Sequence, residues 1–72
     1  MVYIFMAQGF EAIEFTTPLD MLIRAAIPVK TVSVTGELLV KSSQNIPIMA
    51  DALFEDVDFT DADMLILPGG QP

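Results

Sequence analysis

An apolar run, Val2-Tyr3-Ile4-Phe5-Met6, gives way at Ala7-Gln8-Gly9 to a segment of helical spacing that carries two acids, Glu11 and Glu14. The run is rich in β-branched and aromatic residues and reads as a buried strand. A buried first strand that delivers a carboxylate to its own C-terminal edge places it where open α/β sheets hold their sites. Glu14 is the candidate for that role. Gly9, in the connecting loop Ala7 to Phe10, can take backbone angles that a side chain would resist.

The rest of the chain extends this start into an α/β pattern. Glu11 to Ala26 is helical in character, with Ile13, Leu19, Leu22, Ile23 and Ala26 able to share one face. Thr17-Pro18-Leu19-Asp20 allows two readings. Thr17 can cap a helix that begins at Pro18, or a helix that begins near Glu11 bends at Pro18; the bent helix is favoured. Ile27-Pro28 ends it, and Val29 to Thr35 alternates branched and polar residues as a second strand. Strand, helix and strand make a right-handed βαβ unit with a parallel pair. After a turn at Gly36-Glu37, the extended pieces Leu38 to Lys41 and Ile46 to Met49 flank Ser42-Ser43-Gln44-Asn45, a pattern for a small hairpin at the sheet edge. Met64 to Leu67 is a short, fully apolar strand suited to the buried centre of a parallel sheet. It stops at Pro68-Gly69-Gly70.

Charge and residue usage exclude several functions. Ten acids against three basic residues give a net charge of −7, which opposes binding to nucleic acid or to an anionic membrane. No apolar run approaches the ~20 residues of a membrane-spanning helix, and the N-terminus lacks the basic region of a signal peptide; the expected location is cytoplasmic. The chain has no Cys and no His, so it carries no thiol and lacks the commonest general base and metal ligand. Without G-x-G-x-x-G or G-K-[ST], nucleotide binding by those loops is unsupported, and neither a cofactor nor a metal is expected. Asp51 to Asp63 holds six acids, Asp51, Glu55, Asp56, Asp58, Asp61 and Asp63. Their spacing lacks the central Gly and terminal Glu of a calcium-binding EF-hand loop, so a solvated segment with one or two helical turns is preferred to a cation site. A phosphoreceiver domain would end its third long strand in Asp, where this chain has Pro-Gly-Gly.

The Gly69-Gly70 corner can be a simple turn, or it can present backbone N–H groups to an anion, as an oxyanion hole does. Glu14 can be an exposed first-turn acid favoured by the helix dipole, or a catalytic one. Its neighbours Ile13 and Phe15 favour an inward setting, whereas Glu11 follows the loop and is expected nearer water. Glu11, Asp20 and Arg24 read as surface or capping groups. At 72 residues, 53% hydrophobic and with a mean hydropathy of +0.57, the chain is too apolar for the interior it can build alone. It is expected to be part of a larger fold.

In order and spacing, the turn Gly9-Phe10-Glu11-Ala12-Ile13-Glu14, the helix Thr16-Thr17-Pro18-Leu19-Asp20 and the terminal Leu67-Pro68-Gly69-Gly70 resemble the N-terminal part of the ThiJ/PfpI superfamily. The similarity runs over essentially all 72 residues. It implies a flavodoxin-like α/β sandwich of three layers, with residues 1–72 as the N-terminal portion of a single domain. In that family the glutamate matching Glu14 hydrogen-bonds a cysteine at a nucleophile elbow later in the sequence. The glycines matching Gly69 and Gly70 supply backbone N–H to the oxyanion site. The implied function is a cofactor-independent, cysteine-dependent enzyme, either a glyoxalase or deglycase or a hydrolase or peptidase, acting on a small carbonyl compound or a peptide. The alternative is a non-catalytic relative that binds a small molecule or serves in stress response. The resemblance also implies two partners: the remainder of the same protein, and a second copy paired through the first helix, with Phe15, Met21 and Arg24 as candidates to face it if they lie off the core stripe.

Overall fold

The computed structural model describes residues 1–70. In chain order its elements are β1 (Val2–Met6), α1 (Ala12–Arg24), β2 (Val29–Ser33), β3 (Leu39–Lys41), β4 (Pro47–Met49), β5 (Ala52–Leu53) and β6 (Met64–Ile66). Two 3-10 turns, Phe54–Asp56 and Phe59–Asp61, separate β5 from β6. The four-stranded sheet has the order β5-β2-β1-β6, and all three pairings are parallel. β1 lies inside it, with Ile4 opposite Thr31 on one side and Ile66 on the other. The expected βαβ unit is present, with α1 as the crossover from β1 to β2.

Alternation along β1 divides the molecule into two apolar clusters. Ile4 and Met6 join Phe10, Phe15, Val40 and Ala50 in the buried core, with Leu19, Leu22, Val29, Ile48 and Ile66 packed against it. Tyr3 and Phe5 belong to an aromatic cluster with Phe54 and Phe59. Tyr3 meets Phe59 edge-on at 4.9 Å between ring centres, and Phe5 lies 5.6 Å from the same ring.

Helix α1 docks on a narrower stripe than its spacing predicts. Phe15 is 1% exposed and anchors it, while Ile13 is 68% exposed and Ile23 also faces out. Phe15, Leu19 and Leu22 are spaced by four and three and share a face. Ile13 precedes Phe15 by two residues, about 200° round the axis, and is turned away. Phe15 is therefore a core residue and not one that faces a partner; Met21 and Arg24 are exposed. The helix runs through Pro18, as the bent-helix reading requires. Proline has no N–H, so the Glu14 carbonyl loses its acceptor role in the helical ladder.

The end of α1 carries its own signature. Ile27 N–H donates to the Leu22 carbonyl and Ala26 N–H to that of Ile23, each at 3.0 Å. This is a Schellman closure, with Ala26 left-handed at φ 58° where glycine is the usual residue.

Two further expectations are corrected. β2 stops at Ser33, two residues early. There the Ser33 hydroxyl accepts the Thr35 N–H and meets the Thr35 hydroxyl at 2.9 Å, and these local bonds compete with the ladder. The hairpin forms, but β3 and β4 make their own antiparallel ribbon. It packs through Val40 and Ile48 on the core, because those side chains complete the layer beside α1. Among the described strands β6 borders the sheet beside β1, and Met64, Leu65 and Leu67 are exposed, the last at 76%. Among the described residues β6 pairs only with β1.

Four of the six acids of 51–63 are dispersed over separate partners. Asp51 accepts the Thr31 N–H at 2.9 Å, Asp58 caps Thr60, Asp61 accepts the Tyr3 hydroxyl at 2.6 Å and Asp63 pairs with the N-terminal ammonium. The hydrogen bond from Tyr3 to Asp61, followed by burial and the charges of Asp61 and Asp58, pushes the Tyr3 phenol up to about 12. Among the described residues, no helix is long and apolar enough to cross a membrane.

Candidate functional site

The C-terminal ends of β1 and β6 meet in one cleft. Beyond β1, Gly9 takes φ 81°, a left-handed conformation that favours glycine. Its N–H donates to the Lys41 carbonyl at 3.0 Å, while Phe10 N–H closes a turn onto Ala7 at 3.1 Å. Phe10 is buried against Phe15, 5.2 Å between ring centres, so the loop is tied to α1 before the helix begins. Beyond β6, Pro68-Gly69-Gly70 runs alongside this loop. Together Ala7 to Phe10 and Pro68 to Gly70 line a cleft of about 210 Å³. A second, apolar hollow of about 250 Å³ opens nearby between Phe5, Ala7, Val34, Phe54, Leu67 and Pro68. The polar groups gather at the first.

The candidate acid and the glycine corner are in direct contact. Glu14 Oε1 accepts the Gly69 N–H at 2.8 Å, across 55 residues of sequence. The Gly69 carbonyl in turn accepts the Glu11 N–H at 2.6 Å. The first turn of α1 and the residue before it thus hold both sides of Gly69. The two glycines are needed for different reasons. A Cβ at Gly70 would lie 2.3 Å from the Gly9 carbonyl oxygen and 2.7 Å from Phe10 Cα, so only a bare Cα lets the two loops cross. A Cβ at Gly69 would meet Glu14 Oε1 at 2.8 Å, the movable end of a side chain. Gly70 N–H donates to no other described residue.

The expected burial order of the two glutamates is reversed. Glu14 is exposed and Glu11 half-buried. Docking through Phe15 turns Glu14 to the rim, where it reaches Gly69. Glu11 lies beneath the ribbon's loop. Its Oε1 accepts from Gln44 Nε2 at 2.7 Å and its Oε2 from the Ser43 hydroxyl at 3.4 Å. This network was not visible in the sequence, since its partners lie 32 and 33 residues away and follow no motif. Asp20 and Arg24 form an exposed ion pair one turn apart, worth about 0.3–0.5 kcal/mol, and stand apart from the cleft.

Comparison with known proteins identifies relatives of the chain. Protein dj-1beta of Drosophila melanogaster is 34% identical over 67 residues, which cover 93% of this chain and 36% of that protein. The glutathione-independent glyoxalase DJ-1 of Schizosaccharomyces pombe is 33% identical, over 96% of this chain and 40% of that protein. The chain thus spans less than half the length of these curated relatives. The solved structure of oxidized Toxoplasma gondii DJ-1 superposes over 99% of this chain and 39% of its own, with a TM-score of 0.93 and 32% identity. A putative protease I from Bacteroides thetaiotaomicron shares the fold, with a TM-score of 0.90 at 14% identity. The chain therefore has the N-terminal part of a flavodoxin-like α/β fold. The model of the DJ-1/PfpI family matches residues 1–72 without remainder, and the chain belongs to that family.

Proposed function

We propose that the chain is the N-terminal part of a single-domain, cofactor-independent and cysteine-dependent enzyme, a glyoxalase or deglycase or a hydrolase or peptidase, acting on a small carbonyl compound or peptide. Glu14 serves as its acid–base group, and the Gly69-Gly70 corner as its oxyanion side. The observation that carries the reading is the 2.8 Å bond from Gly69 N–H to Glu14 Oε1. It joins the acid and the corner at one sheet edge, where α/β folds perform chemistry. The relative from Schizosaccharomyces pombe carries the name of a glyoxalase, which favours an α-oxoaldehyde substrate.

The nucleophile is a cysteine supplied later in the polypeptide. Its thiolate adds to the aldehyde carbon of an α-oxoaldehyde, and the resulting alkoxide takes a proton to give a hemithioacetal. Removal of the C–H proton from that carbon and its return to the neighbouring carbon converts the hemithioacetal into a thioester of a 2-hydroxy acid. Water then releases the acid and restores the thiol. Glu14 carries the proton between the two carbons. With Oε1 engaged by Gly69, Oε2 is the oxygen that takes and returns it. Such transfer contributes typically ~10²–10⁴-fold, and one donor to the developing oxyanion about 10²–10³-fold. Gly70 N–H is the donor in this scheme.

The second reading is a small-molecule-binding or stress-response domain without turnover. It is favoured by the commitment of Gly69 N–H to Glu14, which removes one of the two donors at the corner. In either reading, the remainder of the polypeptide covers the exposed edge at Met64, Leu65 and Leu67, and a second copy pairs through α1 at Met21 and Arg24, in the cytoplasm. Methylglyoxal turnover by the complete protein, before and after alkylation with iodoacetamide, tests the assignment. Turnover that alkylation abolishes supports the enzyme. Turnover that survives removes the cysteine mechanism, and saturable binding without turnover establishes the second reading.

A further inference from the structure

Glu11 stands immediately before the first residue of α1, where Ser, Thr, Asp or Asn would cap the helix. Its side chain caps nothing. Both carboxylate oxygens are directed to the ribbon's loop, to Gln44 Nε2 at 2.7 Å and the Ser43 hydroxyl at 3.4 Å. Gln44 completes the exchange, its Oε1 accepting the Ala12 N–H at 3.4 Å. Ser43 N–H adds a bond to the Phe10 carbonyl at 2.8 Å. Glu11 is thereby clamped from outside the helix, by a loop that also satisfies the first N–H of α1.

The clamp has a consequence at the glycine corner. Glu11 N–H holds the Gly69 carbonyl at 2.6 Å. That carbonyl and the Gly70 N–H belong to one planar trans peptide unit and point in opposite directions. Fixing the carbonyl therefore fixes the direction of the N–H. The preceding unit, Pro68–Gly69, is held by its own N–H on Glu14. Two adjacent glycines have the conformational freedom for a peptide unit to rotate, and these two contacts oppose rotation, together with the close crossing of Gly70 on Phe10.

We infer that Glu11, anchored by Ser43 and Gln44, is a positioning residue that fixes the direction of the Gly70 N–H at the cleft. The inference rests on the oxyanion role proposed for Gly70. It assigns the ribbon's loop, which does not line the cleft, a part in the same site.

The complete protein, labelled with ¹⁵N, carries the test in five forms: wild type, Glu11→Ala, Glu11→Gln, Gln44→Ala and the Glu11→Ala/Gln44→Ala double variant. In Glu11→Ala and Gln44→Ala the Gly69 and Gly70 amide signals should move and broaden. The kcat for methylglyoxal should fall about 10-fold with KM held within about 2-fold, the signature of a misaimed group that acts in the transition state. Glu11→Gln keeps an oxygen that can accept from Gln44, so it should restore both the signals and most of kcat. The Glu11→Ala/Gln44→Ala double variant should be no worse than the poorer single one. Should Glu11→Ala fail to fold, Gln44→Ala removes the same anchor from the other side. Unmoved Gly69 and Gly70 signals in a folded Gln44→Ala protein would overturn the inference, as would equal kcat losses in Glu11→Gln and Glu11→Ala. If wild type shows no turnover of methylglyoxal, the glyoxalase reading fails, while the amide signals still decide whether Glu11 positions the corner.

Discussion

Alanine at Gly70 would place a methyl group where two loops already touch. Its Cβ would stand 2.3 Å from the Gly9 oxygen and 2.7 Å from Phe10 Cα, both backbone atoms that cannot swing aside. Relief requires the Gly69-Gly70 segment to move away from the loop after β1. That movement stretches the bond from Glu11 N–H to the Gly69 carbonyl. Overpacking of this kind costs about 1–3 kcal/mol and the lost hydrogen bond about 0.5–1.5 kcal/mol, so a loss of about 2–4 kcal/mol is expected. For a domain of 150–250 residues each kcal/mol lowers the melting temperature by about 2–4 °C, which gives a drop of roughly 4–16 °C. Gly36 is the control for backbone strain alone: φ is +91° and nothing lies within 4 Å of the added Cβ, so its alanine variant should lose about 1–2 kcal/mol. Gly69→Ala meets only the mobile end of Glu14. It should lose less than about 1 kcal/mol while disturbing activity, because Glu14 must shift. Thermal melts of the three variants of the complete protein give the order directly. A Gly70→Ala melt within about 2 °C of wild type would refute the close-crossing argument.

Other consequences follow from features away from the cleft. Ala26→Gly relieves the left-handed strain at φ 58° and should stabilise by about 0.5–1 kcal/mol, net of the added freedom of the unfolded chain; a lower denaturation midpoint in urea would contradict it. Tyr3 should ionise near pH 12 in an absorbance titration read as the difference from Tyr3→Phe. Because its folded pKa lies above the unfolded value, its contribution to stability is full below pH 10 and is lost as pH rises toward 12; ionisation near 10 in the folded protein would break the link to Asp61. The isolated 72-residue chain exposes Ile13, Met21, Ile23, Met64, Leu65 and Leu67 and should show no cooperative melt as a monomer. A sharp two-state transition in circular dichroism at micromolar concentration would show that it folds alone.

The order of elements was legible in the sequence because it rests on local signals. Five consecutive apolar residues at Val2 to Met6, an alternating run from Val29 and the stop at Pro68-Gly69-Gly70 each mark an element without reference to distant contacts. The stripe of α1 was not, since Ile13 and Phe15 are equally apolar and only docking against Ile4, Met6 and Val40 selects Phe15. That selection also decided the setting of Glu14, which follows Phe15's choice of face and ends at the rim. Similarly, Met64 to Leu67 reads as central from composition, whereas its place in the sheet depends on which strands flank it. Of the site, Glu14 and the glycine pair could be picked out by their positions after two strands. The hold of Ser43 and Gln44 on Glu11 could not, for it arises from a ribbon folding back over a helix start.

The central claim is that Glu14 moves a proton rather than merely bracing the Gly69 loop, and Glu14→Gln separates the two. Glutamine keeps an oxygen for the Gly69 N–H, so the loop stays in place, but it cannot take up or release a proton. Methylglyoxal turnover by the complete protein is measured for wild type, Glu14→Gln and Glu11→Gln, with melting temperatures alongside. The account predicts a fall of ~10²–10⁴-fold for Glu14→Gln at an unchanged melting temperature and a small change for Glu11→Gln. Wild-type turnover in Glu14→Gln would contradict it and leave Glu14 as a brace for the loop.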